Sequence, residues 1–138
     1  MSDTNITESE PEPLKNKEIE KRLKELQSWS LSSDRTKISR TIEFNSFSEA
    51  ISFVNNMAEF SEKTNHHPES IIIRFDEVEV NLTTSEIKGL SEKDFSLAKE
   101  IDFIAEWKVY LQEWLSSTKV VIALLILFGI VLLWRYFI

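Results

Sequence analysis

The residues best suited to proton chemistry stand side by side. His66 and His67 are the only histidines of the chain, in the string Glu62-Lys63-Thr64-Asn65-His66-His67-Pro68-Glu69. An unperturbed imidazole titrates at about 6.5, so it is the side chain that starts closest to neutrality and can both give and take a proton there. The 138 residues include no cysteine, which excludes thiolate nucleophiles, disulfides and Cys-based metal sites and is compatible with a reducing compartment. General acid/base catalysis at the two rings is the chemistry within reach. A metal site is a poorer reading, because adjacent residues of an extended segment point to opposite faces and there is no third His or any Cys to complete a ligand set. The blander alternative is a pair of satisfied structural histidines.

The elements that must position this pair are legible from periodicity. From Leu14, the spacing Ile19, Leu23, Leu26 predicts a short amphipathic helix with Lys and Glu on its solvent face. Trp29 to Ser32 and Ile38 to Phe44 read as two strands joined through Ser32-Ser33-Asp34, with Ile38, Ile42 and Phe44 on one face and Ser39, Thr41 and Glu43 on the other. Ser46 and Glu49 form a candidate capping box. Phe47, Ala50, Ile51, Val54, Met57 and Ala58 then predict a helix to about Lys63, which delivers the chain to His66, with Pro68 as a stop. Ile71 to Phe75 and Val78 to Thr84 predict a second strand pair about Asp76-Glu77. After Gly89-Leu90, a second box from Ser91 to Asp94 opens a helix through Phe95, Ala98, Ile101 and Ala105 that continues past Trp107, Tyr110, Leu111 and Trp114. The order predicts an α+β domain: one four-stranded antiparallel sheet with helices on one face.

The two ends differ from this middle. Residues 1–13, polar and acidic with Pro11 and Pro13, read as a disordered leader without the apolar core of a signal peptide. Residues 1–118 carry 14 Lys or Arg against 23 Asp or Glu, a net of 14 − 23 = −9, which argues against nucleic acid as a partner. Val120 to Trp134 is uncharged and flanked by Lys119 and Arg135. Fifteen residues make only about 22 Å of helix, but continuation to Ile138 gives about 28 Å if Arg135 snorkels. The expectation is a single-pass, tail-anchored transmembrane segment over 119–138, preceded by a juxtamembrane helix extension over 107–118. Tyr110, Trp114, Trp134 and Tyr136 would be interfacial aromatics and the domain would lie on the cytoplasmic side. A buried or oligomerisation helix is the alternative for this run.

Between Leu14 and Glu106 the sequence resembles the pterin-4a-carbinolamine dehydratase family. The resemblance is carried in order by Ile38-Ser39-Arg40-Thr41-Ile42-Glu43-Phe44, by Phe47, Ala50, Phe53-Val54 and Ala58, by Asn65-His66-His67-Pro68-Glu69, and by Leu82-Thr83-Thr84 with Gly89-Leu90-Ser91-Glu92-Lys93-Asp94 and Ala98. It implies a four-stranded antiparallel sheet backed by helices over 14–106. It also implies dehydration of 4a-hydroxytetrahydropterin (4a-hydroxytetrahydrobiopterin) to quinonoid dihydropterin without metal or bound cofactor, and dimers or tetramers. His66 and His67 would then be catalytic, and Glu62, Thr84, Ser85 and Asp94 would contact substrate. Asp94 also has a plain structural reading as a helix cap, and Glu62 as part of a solvated last turn.

One position departs from the family pattern. A third histidine is expected after the Thr of the last strand, and here Thr84 is followed by Ser85. A hydroxyl can hydrogen-bond a pterin but cannot titrate near neutrality. The usual aromatic after His-His-Pro is also replaced, by Ser70-Ile71-Ile72. Two functions follow from different classes: a membrane-tethered dehydratase, or a catalytically impaired relative that serves as a protein-binding or assembly module.

Overall fold

A computed structural model describes residues 11–116 and 118–137, with side chains at 11–107 and 121–136. The first ten residues of the expected leader lie outside the described residues. The chain divides into two compact units, Met1–Ile104 and Ala105–Ile138.

In the first unit, α1 (Asn16–Leu23) is followed by β1 (Ser30–Leu31), β2 (Ile38–Glu43), α2 (Phe47–Thr64), β3 (Ser70–Arg74), β4 (Glu77–Leu82), a 3-10 turn at Ser85–Ile87 and the start of α3 (Glu92–Ser116). The four strands form one antiparallel sheet in the order β1-β2-β4-β3. Helices alternate with strand pairs, as the pattern of apolar residues predicts. The boundaries are tighter than the sequence suggests, because β1 is only two residues long and β4 ends at Leu82, before Thr83-Thr84.

Register explains which side chains are buried. Ile38 lies opposite Leu82, Arg40 opposite Val80 and Ile42 opposite Val78. Side chains two residues apart share a face, and Ile38, Ile42, Val78, Val80 and Leu82 are all buried with Ala50, Phe53 and Met57 of α2 and Phe95, Ala98 and Ile101 of α3. The α2 helix packs on β4. Each fully buried Phe, Leu, Ile or Met contributes about 1.5–3 kcal/mol relative to leaving it in water. The opposite face, with Ser39, Thr41, Glu43, Glu77, Glu79 and Asn81, is half-buried or exposed.

Arg40 is the one charged residue of the β2 face that carries Ile38 and Ile42, and it has a partner. Its Nη1 donates to Asp102 Oδ1, and Asp102 also accepts from the indole Nε1 of Trp29 at 2.6 Å and the backbone N–H of Gln27 at 3.1 Å. This carboxylate ties the segment before β1, the strand β2 and the helix α3 together. Burial of an ion pair is tolerated only where further hydrogen bonds complete it, and two of them do so here.

In the second unit, α3 runs on to Ser116 and α4 spans Thr118–Phe137. The expected transmembrane segment fails. Among the described residues no helix is long and apolar enough to cross a membrane. The uncharged stretch ending at Trp134 supplies only about 22 Å against a hydrocarbon core of about 30 Å. The extension that a span needs runs through the charged Arg135 to Ile138, and Ile138 lies outside the described residues. The tail anchor, the single-pass placement with the domain on the cytoplasmic side, and the bilayer as partner all fall with it.

Candidate active site

Two local devices bring the histidines into place. The first is the end of α2. Asn65 adopts the left-handed conformation (φ 48°), which Asn tolerates better than most residues, and its N–H bonds to the carbonyls of Ser61 and Glu62. The N–H of His66 bonds to the Ser61 carbonyl at 3.2 Å, so the helix closes at Asn65, three residues before Pro68. The stop is therefore the Asn65 cap, and Pro68 only follows it. Glu69 then donates its N–H to the Asn81 carbonyl at 2.9 Å, which seats the chain on β4.

The second device is the start of α3. The capping box expected from Ser91 to Asp94 forms: the Ser91 N–H donates to Asp94 Oδ2 at 2.8 Å, and Ser91 Oγ accepts from the Lys93 N–H at 3.2 Å. Asp94 has a second task that the cap alone does not account for. Its other oxygen, Oδ1, lies 2.9 Å from His66 Nε2. Asp94 thus caps α3 through Oδ2 and meets His66 through Oδ1.

Around this carboxylate the interior is buried and polar. Asp94 is fully buried and the His66 side chain is 12% exposed. Thr84, buried in an isolated bridge to Gly89, donates from Oγ1 to Asp94 Oδ2 at 2.6 Å and lies 2.7 Å from Ser91 Oγ. Because the single Thr84 hydroxyl proton goes to the carboxylate, the Ser91 hydroxyl is the donor between the two. Charge-assisted bonds of this kind contribute more than neutral ones, and the low local dielectric strengthens them.

His67 turns elsewhere. Its Nε2 lies 3.1 Å from Glu62 Oε1, and both side chains are open to water, 52% and 78% exposed. The adjacent rings thus meet two different carboxylates, one buried and one solvated. Such an arrangement offers two proton-handling centres with distinct surroundings. Ser85 opens the 3-10 turn with an exposed side chain. Of the six residues expected at the site, His66, Asp94 and Thr84 form one hydrogen-bonded cluster, His67 and Glu62 form a second pair, and Ser85 follows Thr84 directly in the chain. The Ser91 hydroxyl was missed; its place in the capping box gave the signal, since a cap at Asp94 puts a second oxygen beside it.

Among the described residues no group of three or more His, Asp or Glu side chains is placed to hold a metal ion. A polar depression of about 290 Å³ lies elsewhere, lined by Ser28, Ser30, Ser39, Arg40, Thr41 and Glu79 and containing no imidazole.

Comparison with known proteins identifies the family of the domain. The family profile described as pterin 4 alpha carbinolamine dehydratase matches residues 12–104. Proteins that carry the provisional name pterin-4-alpha-carbinolamine dehydratase include one from Halorhodospira halophila, 38% identical over 65% of this chain and 82% of its own length, and one from Rhizobium meliloti, 37% identical over 72% and 94%. A crystal structure of a transcriptional coactivator/pterin dehydratase from Brucella melitensis superposes with a TM-score of 0.66 at 31% identity, covering 68% of this chain and 99% of that one. A pterin dehydratase-like protein identified as a RuBisCO assembly factor in the alpha-carboxysome shares the fold alone, with a TM-score of 0.51 at 24% identity over 57% of this chain and 90% of its own. The co-linear match over residues 12–104 makes this chain a member of the pterin 4 alpha carbinolamine dehydratase family.

Proposed function

We propose that residues 14–106 dehydrate a 4a-hydroxytetrahydropterin, of the 4a-hydroxytetrahydrobiopterin type, to the quinonoid dihydropterin and water. The observation that carries this reading is the 2.9 Å contact between His66 Nε2 and the buried Asp94 carboxylate. In the reaction the C4a–O bond breaks, the departing hydroxyl gains a proton and leaves as water, and N5 of the ring loses its proton. One proton is delivered and one removed, so no net proton is consumed. An imidazole held by a carboxylate is suited to such transfers. His66 is the leading acid/base group, oriented by Asp94. His67, held by Glu62, positions the pterin or assists in the second transfer. Ser85 would offer a hydroxyl to the ring where relatives are expected to carry a third imidazole.

A second reading is favoured by one observation: Ser85 is exposed and no third imidazole stands in its place. On that reading the domain is a catalytically impaired relative that serves as a binding or assembly module. The name of the Brucella relative, transcriptional coactivator/pterin dehydratase, joins both classes of role in one protein.

Freshly generated 4a-hydroxytetrahydropterin mixed with the full chain separates them. Dehydratase action requires quinonoid dihydropterin to form faster than in buffer. A rate at background in both the wild type and Ser85→His ends the enzymatic reading. A slow wild type with a fast Ser85→His variant identifies an impaired enzyme.

A further inference from the structure

The contacts behind Asp94 are asymmetric. Oδ2 takes the Ser91 N–H at 2.8 Å and the Thr84 hydroxyl at 2.6 Å, with Ser91 Oγ at 3.3 Å. Oδ1 is left facing His66 Nε2. Thr84 and Ser91 are buried, so neither hydroxyl is open to a ligand. A carboxylate fixed by the Ser91 N–H and the Thr84 hydroxyl can only accept from the ring, and it therefore selects a proton on Nε2.

We propose that Thr84 and Ser91 are positioning residues: they lock Asp94 so that His66 is held as the Nε2–H tautomer, with Nδ1 as the nitrogen that exchanges protons with the substrate. This moves Thr84 from a substrate contact to a supporting role one residue behind the ring. It also explains why a threonine is placed immediately before Ser85, in a buried bridge, rather than on the open face of the sheet. The catalytic consequence rests on the dehydratase reading above, whereas the tautomer itself does not.

Nitrogen-15 NMR of the substrate-free full chain tests it directly, because the two tautomers give distinct ring-nitrogen shifts. The expected wild-type spectrum shows His66 Nε2 protonated and Nδ1 bare at a pH where the ring is neutral. Thr84→Val, which keeps shape but removes the hydroxyl, should shift both His66 nitrogens toward the tautomer average. Thr84→Ser, which restores a hydroxyl, should return them. A wild-type His66 protonated on Nδ1, or already averaged, overturns the proposal without any variant having to fold. So does an unchanged His66 spectrum in folded Thr84→Val. In turnover, Thr84→Val should lower kcat about tenfold with KM changed less than about threefold. The predicted spectra together with a background rate in the wild type would leave the tautomer standing and remove the dehydratase reading.

Discussion

Asp94 and His66 are 28 positions apart in the chain and meet at 2.9 Å, one from the first turn of α3 and the other from the loop that closes α2. The contact joins two elements that are each fixed by their own local caps. Asn65 sets the direction in which the chain leaves α2, and Ser91 sets where α3 begins. Precision at the ring is therefore inherited from helix termini, which are more rigid supports than a free loop.

Replacement of Asp94 by Asn tests the pairing. The amide cannot supply the same acceptor pattern to His66, Thr84 and the Ser91 N–H together, so one buried donor loses its partner. The expected outcome is a kcat lowered by about 10²-fold or more with KM little changed, the signature of an interaction used in the transition state. The fold should survive with a loss of about 1–3 kcal/mol, read from urea denaturation. Equal kcat in wild type and variant would sink the role.

The His67–Glu62 pair should behave differently because both groups are solvated. Water already screens them, so Glu62→Gln is expected to cost no more than about 1 kcal/mol of stability. Its effect belongs in pterin affinity rather than in the chemical step. Steady-state kinetics should show KM raised more than kcat is lowered; a loss confined to kcat would place His67 in proton transfer instead.

How much of this was legible in the sequence depends on the range over which each signal acts. The helices, the strand pairs and both caps follow from residues within a few positions of one another, and Ser46 does accept from the Glu49 N–H at 3.2 Å as expected. Glu62 and Asp94 were also named, as substrate contacts, but not as the partners of His67 and His66. That pairing depends on which Asp94 oxygen faces which donor, a fact about tertiary geometry with no periodicity to announce it. The Asp102 node was invisible for the same reason, since its donors Gln27, Trp29 and Arg40 come from distant stretches of chain. The C-terminal run was read as a span through Arg135, whereas among the described residues no helix is long and apolar enough to cross a membrane.

Asp102 itself gives a stability prediction independent of function. Asp102→Ala strands the Arg40 guanidinium, whose Nε already has no hydrogen-bond partner, in a largely buried position. Removal of one member of a buried pair costs about 3–5 kcal/mol. The Asp102→Ala/Arg40→Met double variant, which buries no charge, should recover part of that loss. Chemical denaturation of the four proteins forms the cycle, and strict additivity would contradict the coupling.

Glu79 offers a pH test on the other face of the sheet. Its carboxyl is held below the ordinary value of 4.5, first by the hydrogen bond from Asn81 and then by the one from Arg74. A depressed folded pKa contributes stability above the unfolded value and loses it as pH falls through the folded one. Carbon-13 titration should place the Glu79 midpoint below 4.5, with Asn81→Ala and Arg74→Gln each raising it. A midpoint unmoved by either substitution would mean that these hydrogen bonds do not hold the carboxyl down.

On the dehydratase reading, Ser85 decides how much catalysis the site retains. The residue follows Thr84, whose hydroxyl is committed to Asp94, and its own side chain is exposed at the start of the 3-10 turn. Its position therefore leaves room for a larger side chain without disturbance to the buried cluster. A serine there can donate or accept a hydrogen bond but cannot carry a proton across the reaction near neutral pH. A positioned acid or base contributes about 10²- to 10⁴-fold, so Ser85→His should raise kcat by a factor in that range if His66 and His67 already provide the rest of the site. Added imidazole should accelerate the wild type in a saturable way and leave Ser85→His unaffected, since only the former lacks the ring. If neither the substitution nor imidazole raises the rate above that in buffer, the dehydratase reading ends and the binding-module reading stands.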